Sequence, residues 1–166
     1  RIAAQRGSVL ARTDAEAAVS RMIRVMGKLN PAVDFSFSVG PPKAKLAVEQ
    51  QDFEEAIGNL LENAARFAES KVVVRITRAS PPEGAVAGSA WLAVSVDDDG
   101  PGLSEDERKE ALKRGRRLDE SKPGNGLGLS IVAEICAEYG GGFSLEQATG
   151  GGLSARMLLP GLIARS

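Results

Sequence analysis

Histidine is absent from the sequence, cysteine occurs once, and aromatic residues make up only 4% of the chain. Without histidine there is no Ser-His-Asp or Cys-His catalytic site, no imidazole acid–base chemistry and none of the usual histidine-containing zinc sites. The single cysteine, Cys136, excludes an internal disulfide and favours a reducing compartment. No apolar run approaches the ~20 residues that span a bilayer. These absences exclude several large classes of protein at once.

The chain has 166 residues, of which 43% are hydrophobic and 26% are charged. This apolar content is enough for one folded domain with a short appendage. Lys and Arg total 21 against 22 Asp and Glu, so the net charge of −1 gives no general attraction to nucleic acid or anionic lipid. The chain begins at Arg1 rather than Met and has no signal-peptide pattern. We therefore expect it to be a fragment of a longer protein.

Four segments have the apolar spacing of helices. Thr13 with Glu16 and Asp52 with Glu55 have capping-box spacing, so each pair is expected to open a helix. A run of three glycines at 140–142 is expected to end the last helix. The predicted helices span residues 13–29, 52–68, 105–113 and 127–139, and residues 114–126 are predicted to form a polar loop.

Strands are predicted where short segments alternate in polarity or are rich in Val and Ile. The predicted strands span residues 34–39, 46–48, 71–77, 90–96, 143–146 and 153–159. Helices and strands are mixed without a regular β-α-β alternation. The expected fold class is therefore an α/β (α+β) two-layer sandwich with a mixed sheet.

The second predicted helix has an organised polar face. Asn59, Glu62, Asn63 and Arg66 lie within roughly 100° of one another around the helix axis. An ordinary solvated face is the common alternative, but asparagine is a poor helix former there, and Glu or Lys would serve better. Amide oxygens suit a hard cation such as Mg²⁺, and an Arg one turn later can contact phosphate.

The segment from Asp97 to Gly102 directly follows an apolar strand. Its glycines permit a tight turn and close approach of a ligand to the backbone. A partly buried carboxylate at a strand end can accept a hydrogen bond from an exocyclic amine such as that of adenine. An EF-hand is excluded because its alternating ligands and distal Glu are absent. An acidic β-turn without function remains the alternative.

A third segment, Gly-Asn-Gly-Leu-Gly-Leu at 124–129, opens the last predicted helix. Glycine-exposed backbone N–H groups at a helix N-terminus form an anion site. The Walker A, Rossmann and protein-kinase patterns all fail here for lack of the required neighbouring residues. The preceding loop contains Arg114, Arg116, Arg117 and Lys122 without apolar anchors, as expected of a lid over phosphates. A flexible surface loop is the alternative.

In order and spacing, the three segments resemble the asparagine box, the first glycine box (DxGxG) and the second glycine box (GxGxGL) of the GHKL ATPase superfamily. They are most similar to bacterial sensor histidine kinases, and the lid region at 114–124 is most similar to the PhoQ-type subgroup. The resemblance extends over about residues 13–160. It implies a Bergerat fold, in which a mostly antiparallel sheet of about five strands packs on three helices, with ATP and Mg²⁺ held beneath a mobile lid.

The resemblance also implies a role for each matching residue. Asn63 would ligate Mg²⁺ with Asn59 in support, and Asp98 would accept the adenine amine. Arg66 would contact phosphate where the family often has Lys, and Phe67 stands where an aromatic residue packs beside adenine. Asn59, Asn63 and Arg66 are thus the implied catalytic residues. The other implied nucleotide contacts are Gly100, Gly102, Arg114, Arg117, Lys122, Gly124, Gly126, Leu127, Gly128 and Leu129. The aromatic motif that commonly flanks the lid is reduced to Leu112, which implies different lid packing.

Hydrolytic members of the superfamily generally place a Glu four residues before the metal-ligating Asn, where it activates water. Asn59 occupies that position here, and an amide cannot act as a general base. The resemblance therefore implies slow hydrolysis and transfer of the γ-phosphoryl group to a histidine on a helical hairpin N-terminal to this domain. Residues 1–12 would be the remnant of that hairpin and linker, and 13–163 the catalytic domain.

The implied partners are this phosphoacceptor hairpin and a response-regulator receiver domain, with no nucleic acid. The resemblance implies a homodimeric full-length protein in the bacterial inner membrane, with this piece as a monomeric cytoplasmic domain. Two alternatives stay open: an anti-sigma-type serine kinase of the same superfamily, and a nucleotide-binding regulatory module without catalysis. The serine kinase would normally begin at its own Met, and the regulatory module would have lost a metal or adenine residue.

Overall fold

A computed structural model describes residues 11–40, 44–117 and 127–162 of the chain. The helices are α1 (Ala15–Leu29), α2 (Gln50–Phe67), α3 (Glu105–Arg117) and α4 (Leu127–Glu138). The strands are β1 (Thr13–Asp14), β2 (Asp34–Val39), β3 (Lys45–Leu46), β4 (Lys71–Ala79), β5 (Trp91–Asp98), β6 (Gly142–Gln147) and β7 (Leu153–Leu162). Among these described helices, none combines the length and apolarity needed to cross a bilayer.

The longer strands form a mixed sheet in the order β2-β4-β5-β7-β6. Only β2 and β4 pair in parallel, and the other pairs are antiparallel. In the centre, Val94 lies between Ile76 of β4 and Met157 of β7, and all three side chains are buried. The end of β7 continues beyond β6 to pair with β3, which in turn pairs with β1. The predicted fold class is confirmed.

One face of the sheet is covered by helices. Phe53, Ile57, Leu60 and Ala64 of α2 are all buried, as the helical spacing predicts. They join a single apolar cluster with side chains from the sheet and from α1 and α4. This arrangement leaves the polar side of α2 directed away from the core, so the helix can present Asn63 at the edge of the sandwich.

The predicted capping of the first two helices is wrong in detail. Thr13 lies in β1, and its hydroxyl donates to the carbonyl of Val48 at 2.6 Å. The cap of α1 is Asp14, whose carboxylate accepts from the backbone N–H of Ala17 at 3.1 Å. Helix α2 begins at Gln50 without a side-chain cap, and Asp52 is buried inside its first turn. In both helices, the side chain that was predicted to cap the helix instead forms a hydrogen bond with a residue distant in sequence.

Several element boundaries also differ from the prediction: β4 ends at Ala79, β5 at Asp98 and β7 at Leu162, two or three residues later than expected. Strand β3 covers only Lys45–Leu46: the N–H of Ala47 still donates to the carbonyl of Pro160, in register with β7, but proline has no N–H to continue the pairing. Helix α3 continues to Arg117, so the first part of the predicted polar loop is helical. The rest of that loop, residues 118–126, lies outside the described residues, as do residues 1–10 of the predicted appendage. The boundary between appendage and domain therefore stays a prediction.

The predicted glycine stop of α4 is confirmed. Gly140 has φ of +76°, and the N–H of Gly141 donates to the carbonyl of Cys136 at 2.9 Å, as in a Schellman motif. Gly141 then passes so close to β7 that a Cβ on it would overlap the carbonyl of Leu158. Glycine at this position lets the end of α4 lie directly against the sheet.

Replacement of Gly141 by Ala should therefore destabilise the domain, because the backbone of α4 or β7 must move to make room. We expect Gly141→Ala to lower the free energy of unfolding by roughly 2 kcal/mol, measured by urea denaturation. Gly142→Ala is the matched control, since nothing lies within 4 Å of its added Cβ. Equal stability of the two variants would contradict the close contact between Gly141 and Leu158.

Candidate functional site

A cavity of about 500 Å³ opens beside α2, between the end of β5, helix α3 and the start of α4. Five residues predicted to contact a nucleotide line it: Asn63, Phe67, Asp98, Gly102 and Leu129. The other lining residues were not predicted as site residues: Pro101, Leu103, Glu107, Glu110, Ala111, Leu145 and Leu153. The structure therefore brings residues from all three sequence motifs to one cavity.

Asp98 is the last residue of β5 and is 6% exposed. Its Oδ1 accepts hydrogen bonds from the backbone N–H groups of Gly100, at 2.9 Å, and Leu153, at 3.3 Å. Burial raises the pKa of the Asp98 carboxyl above its ordinary value, and the two backbone donors partly offset this effect. Both donors bond Oδ1, so neither occupies Oδ2. A ligand in the cavity can therefore bond Oδ2 through an amine donor.

Three glycines allow the backbone to surround Asp98. A Cβ on Gly100 would overlap the carbonyl of Phe67, and Gly102 has φ of +72°. A Cβ on Gly152 would overlap the carbonyl of Asp98 and lie 2.7 Å from its Oδ1. Gly100 and Gly102 were predicted to shape the pocket. Gly152 was missed, although the glycine run at 150–152 marks a tight connection in the sequence.

Asp99, the next residue, anchors the backbone that follows α2. Its Oδ1 accepts from the backbone N–H groups of Glu69, Ser70 and Lys71 at 2.9–3.0 Å, and its Oδ2 accepts from the Ser70 hydroxyl at 2.7 Å. These donors, Ser70 first among them, hold the pKa of Asp99 well below its ordinary value. The bonds anchor the connection that follows Phe67 to the turn that follows Asp98. Nothing in the local sequence distinguishes this role among three consecutive aspartates.

The two asparagines of α2 have different surroundings. Asn63 lines the cavity, whereas Asn59 lies one turn earlier and is not among its described lining residues. The amide nitrogen of Asn59 donates to the carbonyl of Glu55 at 2.8 Å, and its Oδ1 lies 3.1 Å from where a Cβ on Gly128 would be. Asn59 therefore faces the start of α4.

Helix α2 ends with Arg66 and Phe67, which differ in their position relative to the cavity. Phe67 is 48% exposed and contributes to the cavity wall. Arg66 is exposed and does not belong to the described lining. An apolar ring at the mouth of the cavity can stack against a planar ligand.

Helix α3 forms a wall that sequence reasoning missed. Ser104 and Glu107 make a reciprocal capping box: the Ser104 N–H donates to the Glu107 carboxylate at 2.8 Å, and the Glu107 N–H donates to the Ser104 hydroxyl at 3.1 Å. These bonds lower the pKa of Glu107. The Ser-x-x-Glu spacing was a readable signal. It places Glu107, Glu110 and Ala111 along the cavity.

The predicted lid is described only at its two ends. Arg114 and Arg117 lie in the last turns of α3, and Gly128 and Leu129 lie in the first turn of α4. The side chains of Arg114, Arg117 and Leu127 and the whole of Lys122, Gly124 and Gly126 lie outside the described residues. The first turn of α4 has backbone N–H groups without helical partners, and these suit an anion.

No group of three or more His, Cys, Asp or Glu side chains within the described ranges could hold a metal ion. A metal in this cavity would therefore need ligands of another kind. The Asn63 amide offers one oxygen, and Mg²⁺ is commonly held by one or two protein oxygens with substrate phosphates and water supplying the rest. The residues present fit such a shared site.

Comparison with known proteins gives a consistent result. The sequence profile of the histidine kinase-, DNA gyrase B- and HSP90-like ATPases matches residues 48–162. The sensor protein kinase CarS of Pseudomonas aeruginosa is 42% identical over 130 residues, covering 78% of this chain and 27% of that protein. The two-component sensor PhoQ of the same organism is 35% identical over 116 residues, covering 70% of this chain and 24% of that protein. The chain thus spans about a quarter of the length of these relatives.

Solved structures show the same fold. The mycobacterial sensor histidine kinase MprB superposes with a TM-score of 0.73 at 24% identity, covering 92% of this chain and 98% of that one. Full-length ShkA, solved in complex with AMPPNP, superposes with a TM-score of 0.74 at 23% identity, covering 94% of this chain and 32% of that one.

The Asp99 contacts predict a specific pH dependence of stability. Because the folded-state pKa of Asp99 is depressed, its ionised form stabilises the fold above about pH 4, and this contribution is lost as the pH falls. Asp99→Asn should lower the unfolding free energy by about 1 kcal/mol at pH 7, and by less at pH 3. Urea denaturation at both values measures this difference. Asp34→Asn, which removes an exposed carboxylate, is the control, and an equal effect of the two changes would refute the role of Asp99.

Proposed function

Because the chain belongs to the histidine kinase-, DNA gyrase B- and HSP90-like ATPase family, we propose that it holds ATP with Mg²⁺ and passes the γ-phosphoryl group to a histidine on a separate helical hairpin. The domain is of the ATP-binding catalytic type found in sensor histidine kinases. The single observation that carries the proposal is the buried carboxylate of Asp98, which has one oxygen bonded by the backbone and lines the same cavity as Asn63.

In the proposed complex the purine ring lies at the closed end of the cavity. Oδ2 of Asp98 accepts a hydrogen bond from the exocyclic amine of adenine. Leu129, Leu145 and Leu153 line the cavity and supply an apolar surface for the ring, while Phe67 covers its edge. Because a buried carboxylate accepts but does not donate, this end favours a 6-amino purine over a 6-oxo purine.

The phosphates extend from there toward the start of α4 and toward Asn63. Bound Mg²⁺ would supply charge neutralisation for the polyphosphate. Asn63 holds it through the amide oxygen, and Asn59 supports the site indirectly by contact with Gly128. Arg66, Arg114, Arg117 and Lys122 are the proposed phosphate-contacting cations. The glycines at 124, 126 and 128 let the lid approach the phosphates, with Gly100 and Gly102 shaping the base end.

The proposed reaction is transfer rather than hydrolysis. The carboxylates that line the cavity belong to β5 and α3, whereas α2 contributes the amide of Asn63. Asn59, which stands where a water-activating Glu would be needed, donates its amide N–H to Glu55. An amide so placed takes no proton from water, and catalysis rests on positioning and charge neutralisation.

The whole protein is proposed to extend beyond this domain. Residues 1–12 would be the end of the phosphoacceptor hairpin or its linker, and 13–163 the catalytic domain. The hairpin carries the histidine and the dimer interface, a response regulator then receives the phosphoryl group, and the full-length homodimer is anchored in the bacterial inner membrane. The proposed partners include no nucleic acid.

Substitution of Asp98 tests the base end of the site. Asp98→Asn should weaken binding of a non-hydrolysable ATP analogue by about 10- to 100-fold in calorimetry, because a hydrogen bond to an ionised group is lost. It should also reduce the preference for ATP over inosine triphosphate. Asp97→Asn is the matched control, since Asp97 pairs with Arg75 at 3.7 Å and does not line the described cavity. Equal affinities of Asp98→Asn and the unaltered chain would rule out the adenine contact.

Phosphoryl transfer is tested by supplying the acceptor. The chain is mixed with an isolated histidine-bearing hairpin of the sensor-kinase type, Mg²⁺ and γ-labelled ATP. We expect acid-labile phosphate on the hairpin, and a loss of about 100-fold or more in rate with Asn63→Ala. Acid-stable phosphate on a serine would favour the serine kinase. Bound nucleotide without any transfer would favour a regulatory module.

A further inference from the structure

A buried polar pair lies outside the nucleotide site, at the opposite end of α4. Tyr139 directly follows this helix and is 6% exposed, and Asp52 in the first turn of α2 is 4% exposed. The Tyr139 hydroxyl donates to Oδ2 of Asp52 at 2.6 Å and accepts from the backbone N–H of Glu49 at 3.2 Å. Burial and the neighbouring carboxylate raise the pKa of Tyr139 above its ordinary value, so the hydroxyl keeps its proton.

These bonds join the end of α4 to the start of α2. At the start of α4, Gly128 lies against Oδ1 of Asn59, which is halfway along α2. The rest of the contact belongs to the apolar core, which includes Ile57, Val132 and Ile135. Apolar packing is non-directional and tolerates small shifts, whereas a short hydrogen bond fixes both distance and angle.

We propose that Tyr139 and Asp52 are a positioning pair that sets where the first turn of α4 lies relative to the asparagines of α2. The inference rests on the proposed function, in which the start of α4 meets the phosphates and Asn63 meets the metal. The pair touches neither ligand. It acts through α4, whose N-terminal amides contact phosphate only if the helix has the correct rotation and height against α2.

The pair should therefore affect the phosphate end of the site more than the base end, to which α4 contributes Leu129. Asp98 lies on β5, Gly100 in the turn between β5 and α3, and Leu153 on β7, and the two hydrogen bonds that join them do not involve Tyr139 or Asp52. A displaced α4 would leave these hydrogen bonds intact and would shift only the apolar contact of Leu129 with the base. Loss of the pair is thus expected to lower the affinity for the triphosphate more than the affinity for the nucleoside.

The test is Tyr139→Phe, which removes only the hydroxyl. Affinities for adenosine and for a non-hydrolysable ATP analogue with Mg²⁺ are measured by calorimetry under conditions where the variant is folded. We expect the triphosphate affinity to fall about tenfold and the adenosine affinity to fall by a clearly smaller factor. Asp52→Asn keeps an acceptor for the hydroxyl and should retain most of the triphosphate affinity.

The control is a variant that lowers the stability of the domain without changing the Tyr139–Asp52 pair. Ile76→Val removes one buried methylene from β4, a strand that contains neither residue of the pair, and should leave the ratio of the two affinities unchanged. An unchanged ratio in Tyr139→Phe, with triphosphate binding by the unaltered chain, overturns the positioning role and leaves the proposed function standing. If the unaltered chain binds no triphosphate, both fail. Asp52→Ala removes the acceptor from the other side, and an unchanged ratio in that folded variant also overturns the proposal.

Discussion

The cavity depends on how one buried carboxylate is satisfied. Asp98 loses its hydration at the end of β5, and the two backbone donors from Gly100 and Leu153 bond the same oxygen. An acceptor held in a buried setting gains more from a donor than an exposed one does, because the alternative is an unmade hydrogen bond. The fixed carboxylate is therefore preorganised for a ligand donor arriving from one direction, and little ordering free energy is lost when it binds.

The glycines beside this carboxylate allow close packing of the backbone, and the shape of the cavity follows from that packing. Gly100 and Gly152 bring the chain against the carbonyls of Phe67 and Asp98 at distances that a side chain would prevent. Asp99 then accepts hydrogen bonds from the N–H groups that follow α2, so the turn after β5 is tied to the end of that helix. The glycine box is thus a packing motif whose result is a binding site. In the proposed complex, the selectivity for adenine would come from Asp98.

Sequence reasoning located residues of the cavity where the pattern that marks them is local. Asn63 follows from the face of one helix, and Asp98 follows from the end of one strand. It failed where the partner is distant in sequence: Thr13 has capping spacing but bonds the carbonyl of Val48, and Asp52 accepts from Tyr139. Leu153 was missed for the same reason, since only the sheet brings it to Asp98. The Ser104–Glu107 capping box, in contrast, is local, and its Ser-x-x-Glu spacing is visible in the sequence.

The phosphate end of the site explains why such a domain would act on a separate nucleophile. Its described groups there are amides, from Asn63 and from the first turn of α4, and amides stabilise charge without exchanging protons. Water or a hydroxyl must lose a proton to attack phosphorus, so a site of this kind activates them poorly. Neutral imidazole attacks through a ring nitrogen lone pair and needs no base. A phosphate end built from amides would therefore favour an imidazole nucleophile, and under the proposed function that imidazole comes from a separate segment, since the 166 residues include no histidine.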